Sequence, residues 1–206
     1  MTHPGVRADS GSTKHRIIAA AFDALATHGY ADLSIKAIGD ELGQSPSLIY
    51  YHFDDKDDLL LALLDFHLAQ FTAEYLDGAG ADPETNLRAF VDKLLPETVS
   101  ADKRTFLRVY AELRAQAAQS EAYREKFTKL DSLLVTTVSD FIEAGIEAGQ
   151  FADVDVPVAA EHLVGLLLYA MQTRATTTRT ASISSIRVAL DSVLDDLRGE
   201  AVRPSS

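Results

Sequence analysis

The 206-residue chain contains no cysteine. Disulfides, thiol catalysis and cysteine-ligated zinc are excluded. It also lacks any run of about twenty apolar residues that could cross a bilayer, and its opening stretch, MTHPGVRADSGSTKHR, has no apolar signal-peptide core. A soluble, cytoplasmic protein is expected. No glycine-rich phosphate loop, nucleophile elbow or HExxH pair is present, and the six histidines are scattered, so neither enzyme activity nor a cofactor is expected. The acidic run Asp54, Asp55, Asp57 and Asp58 lacks the alternating ligand order, glycine and closing glutamate of a calcium loop. Carboxylates in a helix's first turn, where the dipole favours them, account for it, and no metal is expected.

What the chain does have is apolar content, 47%, in amphipathic helical patterns. Residues 1–11 show no periodicity and read as a disordered arm. Ile18, Ala21, Phe22 and Leu25 recur at helical spacing, and His28, Gly29 and Tyr30 end that helix. Ser34 is a good N-cap for a helix over 35–42, whose Ile35, Ile38 and Leu42 share one face. Gly43 can end it in the left-handed conformation. Ser45 then caps a second helix, with Pro46 where the missing N–H costs nothing. Leu48, Ile49 and Phe53 are candidates to anchor this helix inward, leaving Ser47, Tyr50, Tyr51 and His52 outward. Two short helices across a tight turn have the form of a helix-turn-helix, sized for a DNA major groove. Spacing alone fits an ordinary helix pair of an all-α protein equally well.

From Thr13 to Leu64 several motifs follow one another in order: a helix ending in HGY, a short helix, a turn, YYHF, then DDKDDL leading into a long helix. This segment resembles the N-terminal domain of TetR-family transcriptional regulators. The resemblance implies an all-α, nine-helix architecture, with a helix-turn-helix domain over 12–55 and a helical effector-binding and dimerisation domain over 56–200. It implies that Ser34 sets a helix N-terminus against a phosphate and that Lys36 reaches DNA from the second helix. Gln44, Ser45 and Ser47 would meet phosphates or base edges, Tyr50 and His52 the sugar-phosphate backbone, and Tyr51 the groove. Lys56 matches a phosphate-binding lysine at the start of the fourth helix. Pro46 stands where many relatives carry a basic residue, and Leu48 where a polar residue commonly faces bases. Leu48 therefore contacts a thymine methyl or packs on the core.

Beyond the reader, periodicity predicts helices over 59–76, 84–95, 102–118, 121–148, 158–172 and 182–198, with a linker at Gly78–Pro83 and a polar loop at TRATTTRTAS. The last two helices carry broad apolar stripes: Leu163, Leu166, Leu167, Ala170 and Met171 on one, and Ile183, Ile186, Leu190, Val193, Leu194 and Leu197 on the other. Such stripes serve burial within the chain or an interface. The family resemblance implies the second, a four-helix bundle across a two-fold axis and a palindromic operator. It also implies a small-molecule effector pocket between the fourth and eighth helices, for which Phe66, Gln70, Phe106, Tyr110, Arg114, Phe127, His162 and Tyr169 are candidates. Arg114, if turned inward, suits an anionic effector. The competing reading is a helical dimeric adaptor or sensor that does not bind DNA.

That alternative draws on charge. Lys+Arg of 19 against Asp+Glu of 31 gives −12, where a DNA reader usually shows a basic footprint. Up to Phe53 there are four basic and five acidic residues, net −1, and the other 153 residues carry −11. Aspartate makes up 20 of the 31 acids, and lysine numbers only 7. An ordinary acidic regulator has room for this composition, but so does a halophilic source, where a hydrated acidic surface keeps the protein soluble while salt screens its self-repulsion. If the source is halophilic, folding and operator affinity persist from dilute buffer into molar KCl. A salt titration of both, showing a protein folded and tightly bound only at low salt, would overturn that reading.

Overall fold

The computed structural model describes residues 12–76 and 82–199; the expected arm at 1–11 and most of the expected linker lie outside the described residues. Among the described residues there are nine α-helices and no strand: α1 Thr13–Asp32, α2 Ile35–Leu42, α3 Pro46–His52, α4 Lys56–Leu76, α5 Pro83–Leu94, α6 Ala101–Gln116, α7 Glu121–Glu147, α8 Val156–Thr176 and α9 Thr180–Leu197. No helix among them is long and apolar enough to cross a membrane.

Most helices begin on a local chemical signal. The side chains of Ser12, Ser34, Asp82, Ser100 and Asp155 each accept a hydrogen bond from the backbone N–H three residues on, satisfying a first-turn donor that would otherwise be unpaired. Prolines open α3, α5 and α8, where their missing N–H is harmless. α4 starts on the aspartate run. Asp55 Oδ1 accepts from the Asp58 N–H at 2.8 Å, and Asp58 Oδ2 accepts from the Asp54 N–H at 3.1 Å. These two carboxylates cap the helix they introduce.

The chain forms two compact units. One comprises the residues up to Glu74 together with Ser100–Lys129, and the other Tyr75–Val99 together with Leu130 onward. The first unit therefore runs well past the boundary expected near 55 and takes in most of α4, all of α6 and the start of α7. Its core joins Ile17, Ala21 and Leu25 of α1, Ile38 of α2, Ile49 of α3, Leu59, Leu60 and Leu63 of α4, and Leu107 and Leu113 of α6. Alongside lies an aromatic run. Phe22 meets His67 and Phe106, Phe106 stacks on Tyr110, and Tyr110 meets Phe127 edge-on at 5.1 Å. His67 Nε2 is buried without a hydrogen-bond partner, and burial pushes the ring's pKa down to about 4, so it is neutral at pH 7.

The second unit packs Leu87, Phe90 and Val91 of α5 with Val138 and Ile142 of α7, Leu163, Leu167 and Ala170 of α8, and Ile186, Leu190 and Leu197 of α9. Two expectations change here. TRATTTRTAS is mostly helix: α8 continues to Thr176, and only 177–179 separate it from α9. Polarity misleads because the Thr176 and Thr177 hydroxyls bond back to the carbonyls of Gln172 and Thr173, while Thr173 is itself buried. The second change concerns the stripes of α8 and α9. Leu163, Leu167, Ala170, Ile186, Leu190 and Leu197 are between 0% and 7% exposed within this single chain. They have almost no surface left to give a second copy, so they hold α8 to α9. Leu166 and Val193 are half-buried.

Candidate nucleic-acid interface

The reader is built from α1, α2 and α3. Ser34 Oγ accepts from the Ala37 N–H at 3.1 Å, and Ile35 and Ile38 turn inward while Leu42 is half-buried. Gly43, at φ 68 and ψ 31, closes α2 in the left-handed conformation. The chain then folds back so tightly that the Gln44 N–H donates to the Gly39 carbonyl at 3.0 Å. A Cβ on Gly39 would lie 2.9 Å from the Gln44 carbonyl oxygen and 3.6 Å from Pro46 Cδ. The closeness of the two helices therefore depends on a bare backbone at position 39. Sequence reading passed over this glycine; the available signal was a glycine inside a short, strongly periodic helix.

α3 is held by Ile49, which is fully buried, and by Phe53 at its C-cap, 3% exposed. Ser45 occupies the N-cap position, but its hydroxyl makes no capping bond. Tyr50 is 57% exposed and Tyr51 83%, and the Tyr51 ring meets His52 edge-on at 5.0 Å. Gln44, Ser45 and Ser47 are exposed, His52 and Leu48 half-buried. The structure thus brings Gln44, Ser45, Ser47, Tyr50 and Tyr51 together on the outward side of the turn and α3, with Ser34 and Lys36 exposed at the start of α2.

The cations fall differently from expectation. Lys56 Nζ donates to the Tyr30 carbonyl at 3.2 Å and sits 4.3 Å over the Tyr30 ring. It caps the end of α1, where it was expected to reach a phosphate. Lys14 lies over the Phe53 ring at 5.0 Å. Lys36 pairs with Asp40 at 2.9 Å, with both side chains largely exposed, so this pair exchanges readily with solvent. Tyr30 faces α4 and α7.

The candidate effector residues divide. Phe66, Gln70, Phe106, Tyr110 and Arg114 are half-buried in the first unit, with Phe127 buried; Arg114 Nη1 donates to the Tyr110 hydroxyl at 3.4 Å, and its guanidinium lies over Phe127. His162 and Tyr169 belong to the second unit and are exposed, on one face of α8 with Val158 and Gly165.

Residues 17–63 match the family described as bacterial regulatory proteins, tetR family, and residues 83–197 match the C-terminal domain of BetI-type transcriptional repressors. The chain belongs to the TetR family of transcriptional regulators. It is 31% identical to a TetR transcription regulator from Haloarcula marismortui, whose structure it matches with a TM-score of 0.82 over 89% of this chain and 97% of that one. The BetI regulator of Stenotrophomonas maltophilia is 34% identical over 82 residues, which span 38% of this chain and only 42% of that protein. The AcnR repressor of Corynebacterium glutamicum is 24% identical over 73% of this chain and 74% of its own. A transcriptional regulator from Saccharomonospora viridis, in complex with choline, shares the fold at 24% identity and a TM-score of 0.76, covering 88% and 95% of the two chains. AcnR is a helix-turn-helix repressor, and α2 and α3 are the helix-turn-helix of this regulator.

Gly39→Ala drives a methyl into the Gln44 carbonyl. Overpacking of this kind costs about 1–3 kcal/mol. Urea unfolding should show that loss, with DNA affinity falling alongside it; an unchanged midpoint would contradict the close approach.

Proposed function

We propose that this chain represses transcription by binding a palindromic operator as a homodimer, and that a small-molecule effector releases it. The observation that carries the reading is the outward face of α3: two tyrosines more than half exposed on a seven-residue helix whose Ile49 is buried and Leu48 half-buried. An exposed tyrosine pair has no structural use here, whereas its rings and hydroxyls suit base edges and sugar-phosphate backbone. Tyr51 reads the groove, Tyr50 and His52 lie along the backbone, and Ser34, Lys36, Gln44, Ser45 and Ser47 serve as donors to phosphate or base edges. The match to BetI-type repressors supports an effector-responsive body. Phe66, Phe106, Tyr110 and Phe127, with Gln70 and Arg114, are its candidate contacts.

Dimerisation is assigned to the outer faces of α8 and α9. Val158 is 64% exposed, Tyr169 50% and Val188 68%, and the first two share a face with His162 and Gly165. These positions still have apolar surface to bury. A two-fold dimer sets its recognition helices about 34–36 Å apart, or a multiple, which is the spacing of half-sites one helical turn apart.

The deciding experiment is a gel shift with fragments flanking the protein's own gene at several salt concentrations. Sequence-specific retention supports a repressor, and its absence favours the adaptor. Tyr51→Ala should weaken the specific complex by about 1–3 kcal/mol and relax its sequence preference. In sedimentation, Val188→Asp should shift dimer toward monomer; a wild-type monomer at micromolar concentration would refute the dimer.

A further inference from the structure

The end of α1 is tied by directional bonds to three other helices of the first unit. Past the break at Gly29, the Tyr30 N–H donates to Glu112 Oε2 of α6 at 2.8 Å, and the Tyr30 carbonyl accepts from Lys56 of α4. The Tyr30 hydroxyl donates to Asp57 Oδ1 at 2.9 Å. The same Oδ1 accepts the hydroxyl of Tyr123, on α7, at 3.1 Å. The two phenol rings meet edge-on, 6.4 Å apart, and Tyr123 is 1% exposed. A turn earlier, Arg108 of α6 donates to the Ala26 carbonyl at 2.5 Å.

We propose that Asp57, Tyr30 and Tyr123 form a positioning joint, in which one carboxylate oxygen shared by a reader hydroxyl and an α7 hydroxyl fixes the angle of the reader and hence the register of two recognition helices on a full operator. The proposal rests on the reading of the chain as a dimeric repressor. Apolar packing between α1, α4 and α6 supplies most of the adhesion but is non-directional. Hydrogen bonds to a charged acceptor are short and angular, and a carboxylate oxygen has lone pairs for two donors. Here the donors come from two different helices, α1 and α7. Desolvation and the neighbouring Asp57 push both phenols above their ordinary range, so each remains a donor throughout the range of DNA-binding assays. Tyr30, Asp57 and Tyr123 all lie in the first unit, so the joint sets the reader against α4 and α7 within that unit. Of the aspartates in the 54–58 run, Asp55 and Asp58 cap α4, whereas Asp57 makes its bonds to other helices.

The test separates aim from adhesion. Duplexes selected from random sequence by the wild-type protein supply a full palindrome and its isolated half-site. Tyr123→Phe keeps the buried ring and removes one bond; Tyr30→Phe is the independent second variant, and circular dichroism checks that each is folded. Full-site affinity should fall about tenfold, the worth of one hydrogen bond to a charged group, while half-site affinity stays at the wild-type value. The double variant should lose little more than either single one, because the joint needs both hydroxyls. Asp57→Asn, which still offers an acceptor oxygen, should retain most of the full-site preference. Equal losses on full and half sites, or none on either, would overturn the joint and leave the repressor reading standing. A wild-type protein that selects no palindrome would sink both.

Discussion

A seven-residue helix cannot hold itself. α3 has too few turns for hydrogen bonding to outweigh the cost of nucleation, so its existence depends on what it is packed against. Ile49 and Phe53 are its anchors, and both are buried. That packing requires α2 and the turn to approach within backbone distance, which the bare Cα of Gly39 permits. Once Ile49 and Phe53 point inward, helical periodicity sends Tyr50 and Tyr51 outward. The exposure of the reading residues is thus a consequence of how the anchors are buried.

The same reader also has to be aimed, and adhesion does not aim. The polar contacts at Tyr30 and Ala26 lie where α1 ends, close to the start of α4 and the middle of α6. Glu112 and Arg108 stand one turn apart on α6, facing the Tyr30 N–H, which follows the break at Gly29, and the Ala26 carbonyl near the helix end. A helix end is where backbone groups most need partners. Meeting that need with side chains from α4 and α6 turns a capping requirement into an orientation.

Much of this was legible in the chain. The spacing of Ile35, Ile38 and Leu42, the glycine at 43 and the proline at 46 gave α2, its cap and the start of α3 at their observed positions. These are local signals, decided within a turn or two. What escaped was non-local. The partner of Lys56 in this structure is a carbonyl 26 residues away, a contact that local pattern does not reveal. The stripes of α8 and α9 were read correctly as apolar, but amphipathicity states that a face is buried without saying by what. Leu163, Leu167, Leu190 and Leu197 bury within the chain, whereas Val158 and Tyr169 on α8 and Val188 on α9 are exposed. Thr173 and Thr176 read as loop because their type is neutral to poor in helices, yet Thr173 is buried in α8 and the Thr176 hydroxyl finds a carbonyl one turn back.

The placement of the cations bears on how such a protein can bind a polyanion. Lys14 covers Phe53, Lys56 caps α1, and Lys36 is held by Asp40 on an exposed surface. Each phosphate neutralised by a free cation would release counterions and steepen the salt dependence of binding. With Lys14 over a ring and Lys56 bonded to a carbonyl, Lys36, in an exposed ion pair, is the cation of this group best placed to exchange its partner for a phosphate. The remaining donors are neutral: the hydroxyls of Ser45, Ser47, Tyr50 and Tyr51, the amide of Gln44 and the backbone N–H groups opening α2. Neutral donors release no counterions and act only at contact distance, so their contribution depends on geometry and survives high salt. A reader of this kind gains little from long-range attraction and much from being held at the right angle, which is why its fixed attachment at Tyr30 matters as much as the groups on α3.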